Sequence, residues 1–516
     1  MTVPQALELA LQRHQAGRLA DAEALYRQIL AAQPRHPDAL RLLGVIAQQS
    51  GRHDLVVEWM LQAIAVDPTY PAAHCALGEA YHALDRLDDA VQAYRLALQL
   101  QPDFPEAHHN LGNTLKQQGL LDEALAAYRR ALQLKPDMPE AHNSLSAALR
   151  AQGELDQAIA SCLRALELKP DYLDAHNNLG AALAAQGRLD EAIAVYHRAI
   201  QLHPGYADAW NDLGVALKER GDFTEAIAAY RRALELKPDY HGIHNNLGIA
   251  LQDQGELDQA IAAFRRAIEL KSDSPHAINN LGNALMYRGE LDDAIAALRH
   301  AVQVKPDHPG MHSNLIYALH LRPRHDDGEL AEEYLLWNRK FSDPVKPFVQ
   351  IHSNERSPDR RLRVGYVSPD FRDHPVGRYL LPLFEHHDRE RFEILCYSGV
   401  ARPDSMTERF RALADPARNA SRSDAGGGWR NTIGVPDAVL AEMIREDAVD
   451  ILVDLAMHTA KNRLPMFARQ PAPVQISWLG YPGGAGLPSI GYRLTDAHMD
   501  PPGSRTRGTD CSTEEG

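Results

Sequence analysis

A 34-residue period governs the first two-thirds of this 516-residue chain. Proline recurs at 34, 68, 102, 136, 170, 204, 238 and 306, with Ser272 in the one vacancy. Such an interval belongs to a solenoid, in which each unit leaves an apolar face uncovered until the next unit stacks on it. Two glycine sets keep the same interval. One stands at 17, 51, 119, 153, 187, 221, 255 and 289, interrupted by Asp85, and separates two helical patterns where a residue able to take positive φ ends the first. The other stands at 44, 78, 112, 180, 214, 248 and 282, interrupted by Ser146, and lies inside the first helix. Glycine there costs about 1 kcal/mol relative to alanine. A cost repeated along the array predicts close approach of a neighbouring helix.

In a representative unit, 105–136, the pattern reads Leu111, Gly112, Leu115, Ala124, Tyr128, Ala131, Pro136. It resembles the tetratricopeptide repeat, with His108 where that repeat often carries tryptophan. Units start at 3, 37, 71, 105, 139, 173, 207, 241 and 275, and 309–320 supplies one further first helix, so repeats are expected over 3–320. Stacked helix pairs predict a continuous superhelix with a long concave face. Ahead of each Leu-Gly pair or its equivalent stand Asn110, Ser144, Asn178, Asp212, Asn246, Asn280 and Asn314, whereas the first three repeats place Glu8, Leu42 and Ala76 there. A column of amides can pair with the main chain of an extended peptide whatever its sequence. Alternatively, these residues solvate a helix face or bond to the neighbouring repeat. Asn143, Asn177, Asn211, Asn245 and Asn279 form a second column, ~100° around the helix, suited to packing. Cys162 fills the slot of Tyr128, Tyr196 and Tyr230 and reads as a packed thiol, while His108, His142, His176 and His244 read as surface or groove lining without metal-ligand spacing.

Charge locates the end of the array. Residues 351–516 hold 21 basic and 23 acidic residues, which leaves 33 and 46 for residues 1–350, and after Lys346 the one remaining lysine is Lys461. A net charge of −15 offers no basic field for a phosphate backbone, which excludes a nucleic-acid reader. Cys75, Cys162, Cys396 and Cys511 lie far apart with no CxxC spacing, which fits a reducing compartment. With no signal-peptide pattern at the start and no 18-residue apolar run, a soluble cytoplasmic protein without membrane contact is expected.

Past Pro323 the period is lost, and 321–360 reads as a linking helix and linker. Four β-rich runs follow, LRVGYVS (362–368), FEILCYS (392–398), DILVDL (450–455) and VQISWLG (474–480), separated by helical segments such as 435–447. Alternation of this kind predicts a parallel sheet covered on both faces, and no G-x-G-x-x-G follows the first strand. Ligands of such sheets gather at the carboxyl ends of the strands. Just beyond those ends stand SPDFRDHPVGR (368–378), AMHTAKNR (456–463) and GYPGGAG (480–486). His374 and His458 suit a general base or a donor to a phosphate or sugar oxygen, or alternatively cap helices, while Gly483, Gly484 and Gly486 permit backbone approach to a ligand.

These segments, together with NRLPMFARQPAPVQISWLGYPG and YRLTDAHMDPPG, resemble the protein O-linked N-acetylglucosamine transferase family, Spindly-like and bacterial members included, over residues 3 to about 503. The resemblance implies an α-solenoid followed by an α/β Rossmann-like lobe (361–503), the first half of a two-lobe GT-B-type glycosyltransferase. It implies inverting, metal-independent transfer of a sugar from a nucleotide donor, UDP-N-acetylglucosamine in particular, to serine or threonine hydroxyls, with no cofactor. Protein acceptors would be captured by an asparagine ladder, matched by Asn110, Asn178, Asn246, Asn280 and Asn314. The family's D-F-x-x-H-P and D-L-x-x-H-T motifs place its active-site histidines on His374 and His458, with Asp370, Pro375, Thr459, Tyr481, Pro482, Gly483 and Gly484 around the donor and acceptor pocket. Met457 and Lys461 stand where many members have glycine. The second lobe is missing, and SRTRGTDCSTEEG (504–516) reads as an aberrant tail produced by a frameshift or premature stop near 503. A competing expectation is a noncatalytic peptide-binding scaffold.

Overall fold

A computed structural model describes residues 1–322, 327–357, 359–414, 428–480 and 485–495. Contacts divide the chain into two compact units, Met1–Pro238 and Asp239–Gly516. The cut falls inside the repeat array, although composition changes near 320–360.

The first unit is seven antiparallel helix pairs, from Val3–Gln15 with Leu19–Ala32 to Ala207–Arg220 with Phe223–Leu236. The ladder-bearing first helices also pack directly on the first helices of the next repeat, as Pro105–Gln117 does on Pro139–Gln152, so they form the inner row of the stack. The helix-interior glycines are explained by the second helix of their own repeat. A Cβ at Gly112 would lie 2.6 Å from the Tyr128 ring, and at Gly180 it would lie 2.5 Å from Tyr196. Where Ser146 interrupts the glycine set, its buried side chain faces Cys162. Loss of the aromatic ring makes room for the side chain, so two departures from the repeat compensate each other.

The histidine column, expected as surface or groove lining, ties each first helix to the turn before it. Nε2 of His74, His108, His142 and His176 bonds the carbonyl of the proline six residues earlier, at 2.9–3.1 Å. Trp210 Nε1 donates to Pro204 in the same way at 3.1 Å. Imidazole and indole are interchangeable here because each brings a ring N–H to the carbonyl that the inter-repeat turn leaves open. Asp85, which replaces a turn glycine, still has φ +58. Asp85→Gly should therefore stabilise the first unit by up to about 1 kcal/mol; a lowered melting temperature would contradict this.

The second unit begins with two more helix pairs, His241–Gln254 with Leu257–Leu270 and Pro275–Arg288 with Leu291–Val304. Pro309–Leu321 and the linking helix Asp327–Trp337 follow. Short π and 3-10 turns then lead to a six-stranded parallel sheet of β1 (Leu362–Ser368), β2 (Phe392–Ser398), β3 (Trp429–Asn431), β4 (Ile451–Asp454), β5 (Val474–Ser477) and β6 (Tyr492–Arg493). Strand order is β3-β2-β1-β4-β5-β6. Four of these strands are the runs read from the sequence. The edge strands β3 and β6 have three and two residues, too few to show a pattern.

Successive side chains of β2 feed opposite cores. Ile394 and Cys396 pack with Phe371, Phe384 and Phe410. Leu395 and Tyr397 pack with Leu440, Ile444 and Leu452 in a core that also contains Leu298, Leu315, Leu319, Tyr334 and Trp337. The last repeat helices thus share a core with the sheet. The linker is tied down by buried Asp450, which accepts from Arg360 Nη1 at 2.7 Å, Asn354 Nδ2 at 2.7 Å and Arg363 N at 2.8 Å. No helix among the described residues is long and apolar enough to cross a membrane.

Candidate active site at the switch point of the sheet

Strand order reverses between β1 and β4, so the loops leaving these neighbouring strands open a crevice, the usual ligand position in a doubly wound sheet. The β1 loop is a tight turn. Asp370 N donates to Ser368 Oγ at 2.9 Å, and a side chain on Gly377 would collide with the Arg372 carbonyl. Asp404, at the start of the helix Ser405–Leu413, takes the Asp373 N–H at 2.7 Å. His374 is the N-cap of the helix Pro375–His386, its Nδ1 accepting from Val376 N at 3.3 Å. The carboxylate of Asp370 lies 3.7 Å from the same nitrogen. His374 is half-buried, and Pro375 is an exposed first-turn residue.

The β4 loop is built on Asp454. This fully buried carboxylate accepts from Ala456 N at 3.0 Å and from Met457 N at 3.1 and 3.2 Å. Burial pushes its carboxyl up to about 6, with the two amides opposing the shift. Met457 has φ +48 and Lys461 φ +61, which accounts for glycine suiting both positions. Thr459 Oγ1 donates to the Ala456 carbonyl at 2.6 Å, fixing the next turn.

His458 is fully buried between Tyr334 and Trp337, with ring centroids 5.4 and 5.6 Å away. Its Nε2 lies 2.8 Å from the Ala485 carbonyl, which can only accept, so Nε2 carries the proton and Nδ1 accepts from Ser313 Oγ at 3.0 Å. Burial pushes the imidazole down to about 3. Asn338 Nδ2 donates to the Gly486 carbonyl at 2.7 Å, and His320 Nε2 meets the Tyr334 hydroxyl at 2.5 Å. The last repeat helix, the linking helix and the β4 loop therefore meet at one residue. Asp370 and His374 are brought together at the crevice, while His458 sits behind it with both nitrogens engaged. Tyr481, Pro482, Gly483 and Gly484 lie outside the described residues.

Asp454, Ser313, Tyr334 and Asn338 went unread in the sequence. An aspartate inside the apolar run DILVDL was the one available signal; the other three stand in ordinary helical patterns.

The ladder asparagines are staggered into the second column. Nδ2 of Asn178 donates to Asn143 Oδ1 at 2.8 Å, Asn280 to Asn245 at 3.0 Å and Asn314 to Asn279 at 2.9 Å. Asn110 Nδ2 donates instead to Glu79 Oε1 at 2.8 Å. Asn246 is also bonded. All five amides are half-buried, and Asn110, Asn178, Asn280 and Asn314 are bonded to the preceding repeat.

Comparison with known proteins assigns both regions. Residues 308–507 match glycosyl transferase family 41, and tetratricopeptide repeat profiles match in overlapping stretches from 7 to 319. Residues 308–507 are thus similar to glycosyl transferase family 41. A Solanum lycopersicum protein named probable UDP-N-acetylglucosamine–peptide N-acetylglucosaminyltransferase SPINDLY is 40% identical over 183 residues, 35% of this chain and 18% of that protein. The Arabidopsis thaliana protein of the same name is 37% identical over 181 residues, covering 35% and 19%. A solved structure of a Thermobaculum terrenum O-GlcNAc transferase mutant is 36% identical with a TM-score of 0.51, covering 58% of this chain and 55% of that one. The family 41 match begins at 308, at the helix that carries Ser313 and Asn314, so the family region includes the end of the array. The matched segment spans about a fifth of the curated relatives.

Proposed function

We propose that this chain is the acceptor-capturing array and first lobe of a protein O-glycosyltransferase, which moves N-acetylglucosamine from its UDP donor to serine or threonine hydroxyls. One observation carries the reading: a repeat array with an amide column shares a hydrophobic core with a family 41 lobe whose β1 and β4 loops open at the switch point. His374 acts there as a hydrogen-bond donor. With Nδ1 accepting the Val376 N–H, the proton of the neutral ring resides on Nε2. That donor, beside a helix N-terminus, suits charge developing on the departing diphosphate or on a sugar oxygen. Asp370 borders the ring on its Nδ1 side, and Thr459 and Asp454 shape the opposing loop. Protein substrates lie along the first-helix row, gripped through their main chain by the ladder amides.

Turnover of radiolabelled UDP-N-acetylglucosamine with an acceptor peptide tests the reading. His374→Ala should lower the rate about 100-fold or more with an unchanged circular dichroism spectrum. If the wild-type chain binds the peptide, shows no heat with the donor in calorimetry and transfers no sugar, a peptide-binding scaffold replaces the enzyme.

A further inference from the structure

A cavity in the first unit, remote in sequence from the family 41 lobe, carries a reading of its own. Its volume is about 190 Å3, and it is lined by Glu79, His82, Tyr94, Asn110 and Asn113. Two neighbouring first helices, Pro71–Ala83 and Pro105–Gln117, and the second helix Leu87–Leu100 supply these residues. Glu79 departs from the repeat pattern. The equivalent positions in the other repeats of the unit hold Leu11, Val45, Asn113, Ala147, Ala181 and Val215, so a carboxylate has been placed where the solenoid needs none.

The groups bonded to that carboxylate are neutral. Glu79 accepts from Gln48 Nε2, from Asn110 Nδ2 at 2.8 Å and from the Cys75 thiol at 3.9 Å. Among the described residues no lysine, arginine or histidine stands at ion-pair distance from it. Burial holds its carboxyl above the usual carboxylate range, against the pull of the Gln48 and Asn110 amides. The Tyr94 phenol is raised as well, first by burial and then by the negative charge of Glu79. A half-buried carboxylate served by neutral donors alone has no counter-charge when ionised, and each oxygen retains a lone pair. Asn113 Oδ1, which takes the Tyr128 hydroxyl at 2.8 Å, adds a further acceptor to the wall. An anionic ligand would repel this site, and an apolar one would desolvate the carboxylate without compensation.

We propose that the Glu79 cavity receives the cationic head of a lysine or arginine side chain on a captured peptide. The inference rests on the reading that the array captures peptides, and it adds a sequence preference to a ladder that grips main chain alone. Asn110 joins the two devices, because the first ladder amide is the one that donates to Glu79.

Two measurements on the full chain separate the cavity from the groove. In calorimetry, L-argininamide should bind at least tenfold more tightly than its neutral isostere L-citrullinamide. The preference should vanish in Glu79→Gln and persist in Glu123→Gln, which removes an exposed charge paired with Arg95 elsewhere in the unit. No preference in the wild type, or equal losses in both variants, overturns the cavity proposal. In fluorescence anisotropy, a labelled serine- and threonine-bearing dodecamer with one lysine scanned through its length should outbind its norleucine counterparts at one register by about tenfold. Glu79→Gln should abolish that margin, whereas Asn178→Ala, a ladder change in the same unit, should weaken lysine and norleucine peptides alike. Argininamide binding with no peptide binding at all would overturn peptide capture and leave a site for a small cation. A circular dichroism melt of Glu79→Gln guards against a folding defect.

Discussion

His458→Ala is expected to produce the largest loss of any single substitution in the second unit, about 3–5 kcal/mol. Removing the ring opens a cavity between Tyr334 and Trp337, and it strands the Ala485 carbonyl and the Ser313 hydroxyl away from water. Hydrogen exchange should accelerate in 309–322, 327–337, 455–460 and 485–487 together, since these segments supply the contacts of His458. His458→Gln separates structure from chemistry. Glutamine can donate through its side-chain amide to the Ala485 carbonyl, so the variant should keep most of the stability and turnover if His458 positions the loop. Turnover abolished in a stably folded glutamine variant would instead show that the imidazole exchanges protons with substrate.

Acid adds an independent check. In the unfolded chain this imidazole binds a proton below about pH 6.5. In the fold it does so only near 3. The folded pKa is depressed, so its stabilising contribution is complete above about 6.5 and is lost as pH falls towards 3, by up to ~1.4 kcal/mol per pH unit. Chemical denaturation between pH 7 and 5 should show this slope in the wild type and a shallower one in His458→Gln.

The second large effect concerns the array. Gly112→Ala should destabilise the first unit by about 2 kcal/mol despite the better helix propensity of alanine, because the new Cβ would lie 2.6 Å from a Tyr128 ring held by its bond to Asn113. Adding Tyr128→Cys should recover part of that loss, reproducing the pairing at Ser146 and Cys162. The single and double variants form a cycle whose coupling should be favourable by about 1 kcal/mol or more. Additive losses would mean that the glycine column answers to something other than the aromatic ring.

Much of the scaffold is legible in the order of the amino acids alone. Helices start at Val3, Pro37, Pro71, Pro105, Pro139, Leu173, Ala207, His241, Pro275 and Pro309, every position set by the period. The turn glycines have positive φ, and so does the aspartate that replaces one. Such features are local: a helix end or a φ is decided by neighbours a few residues away, and repetition averages away the noise of any single unit. The four longer strands and the His374 loop are legible for the same reason, since alternation of strands and helices fixes which loops leave the carboxyl edge of a parallel sheet.

The roles of individual polar residues were decided by tertiary structure. His374 and His458 look equivalent in sequence, each a few residues past a strand, yet one caps a helix at the crevice and the other is sealed against Trp337 with both nitrogens used. Their difference depends on Ser313, 145 residues away from His458, and on which face of the sheet the last repeat helices cover. The ladder shows the same division. The period announced two amide columns, but their interlocking follows from the stagger between neighbouring repeats, which places Asn178 against Asn143. The acidic excess of the first 350 residues, known as a count from the sequence, gains a place at Glu79 because folding puts that carboxylate among neutral amides in a cavity. Period, turns and strand edges are written in neighbouring residues. Burial, protonation and partnership arise from contacts between segments far apart in the chain, and these exist only once the units have packed.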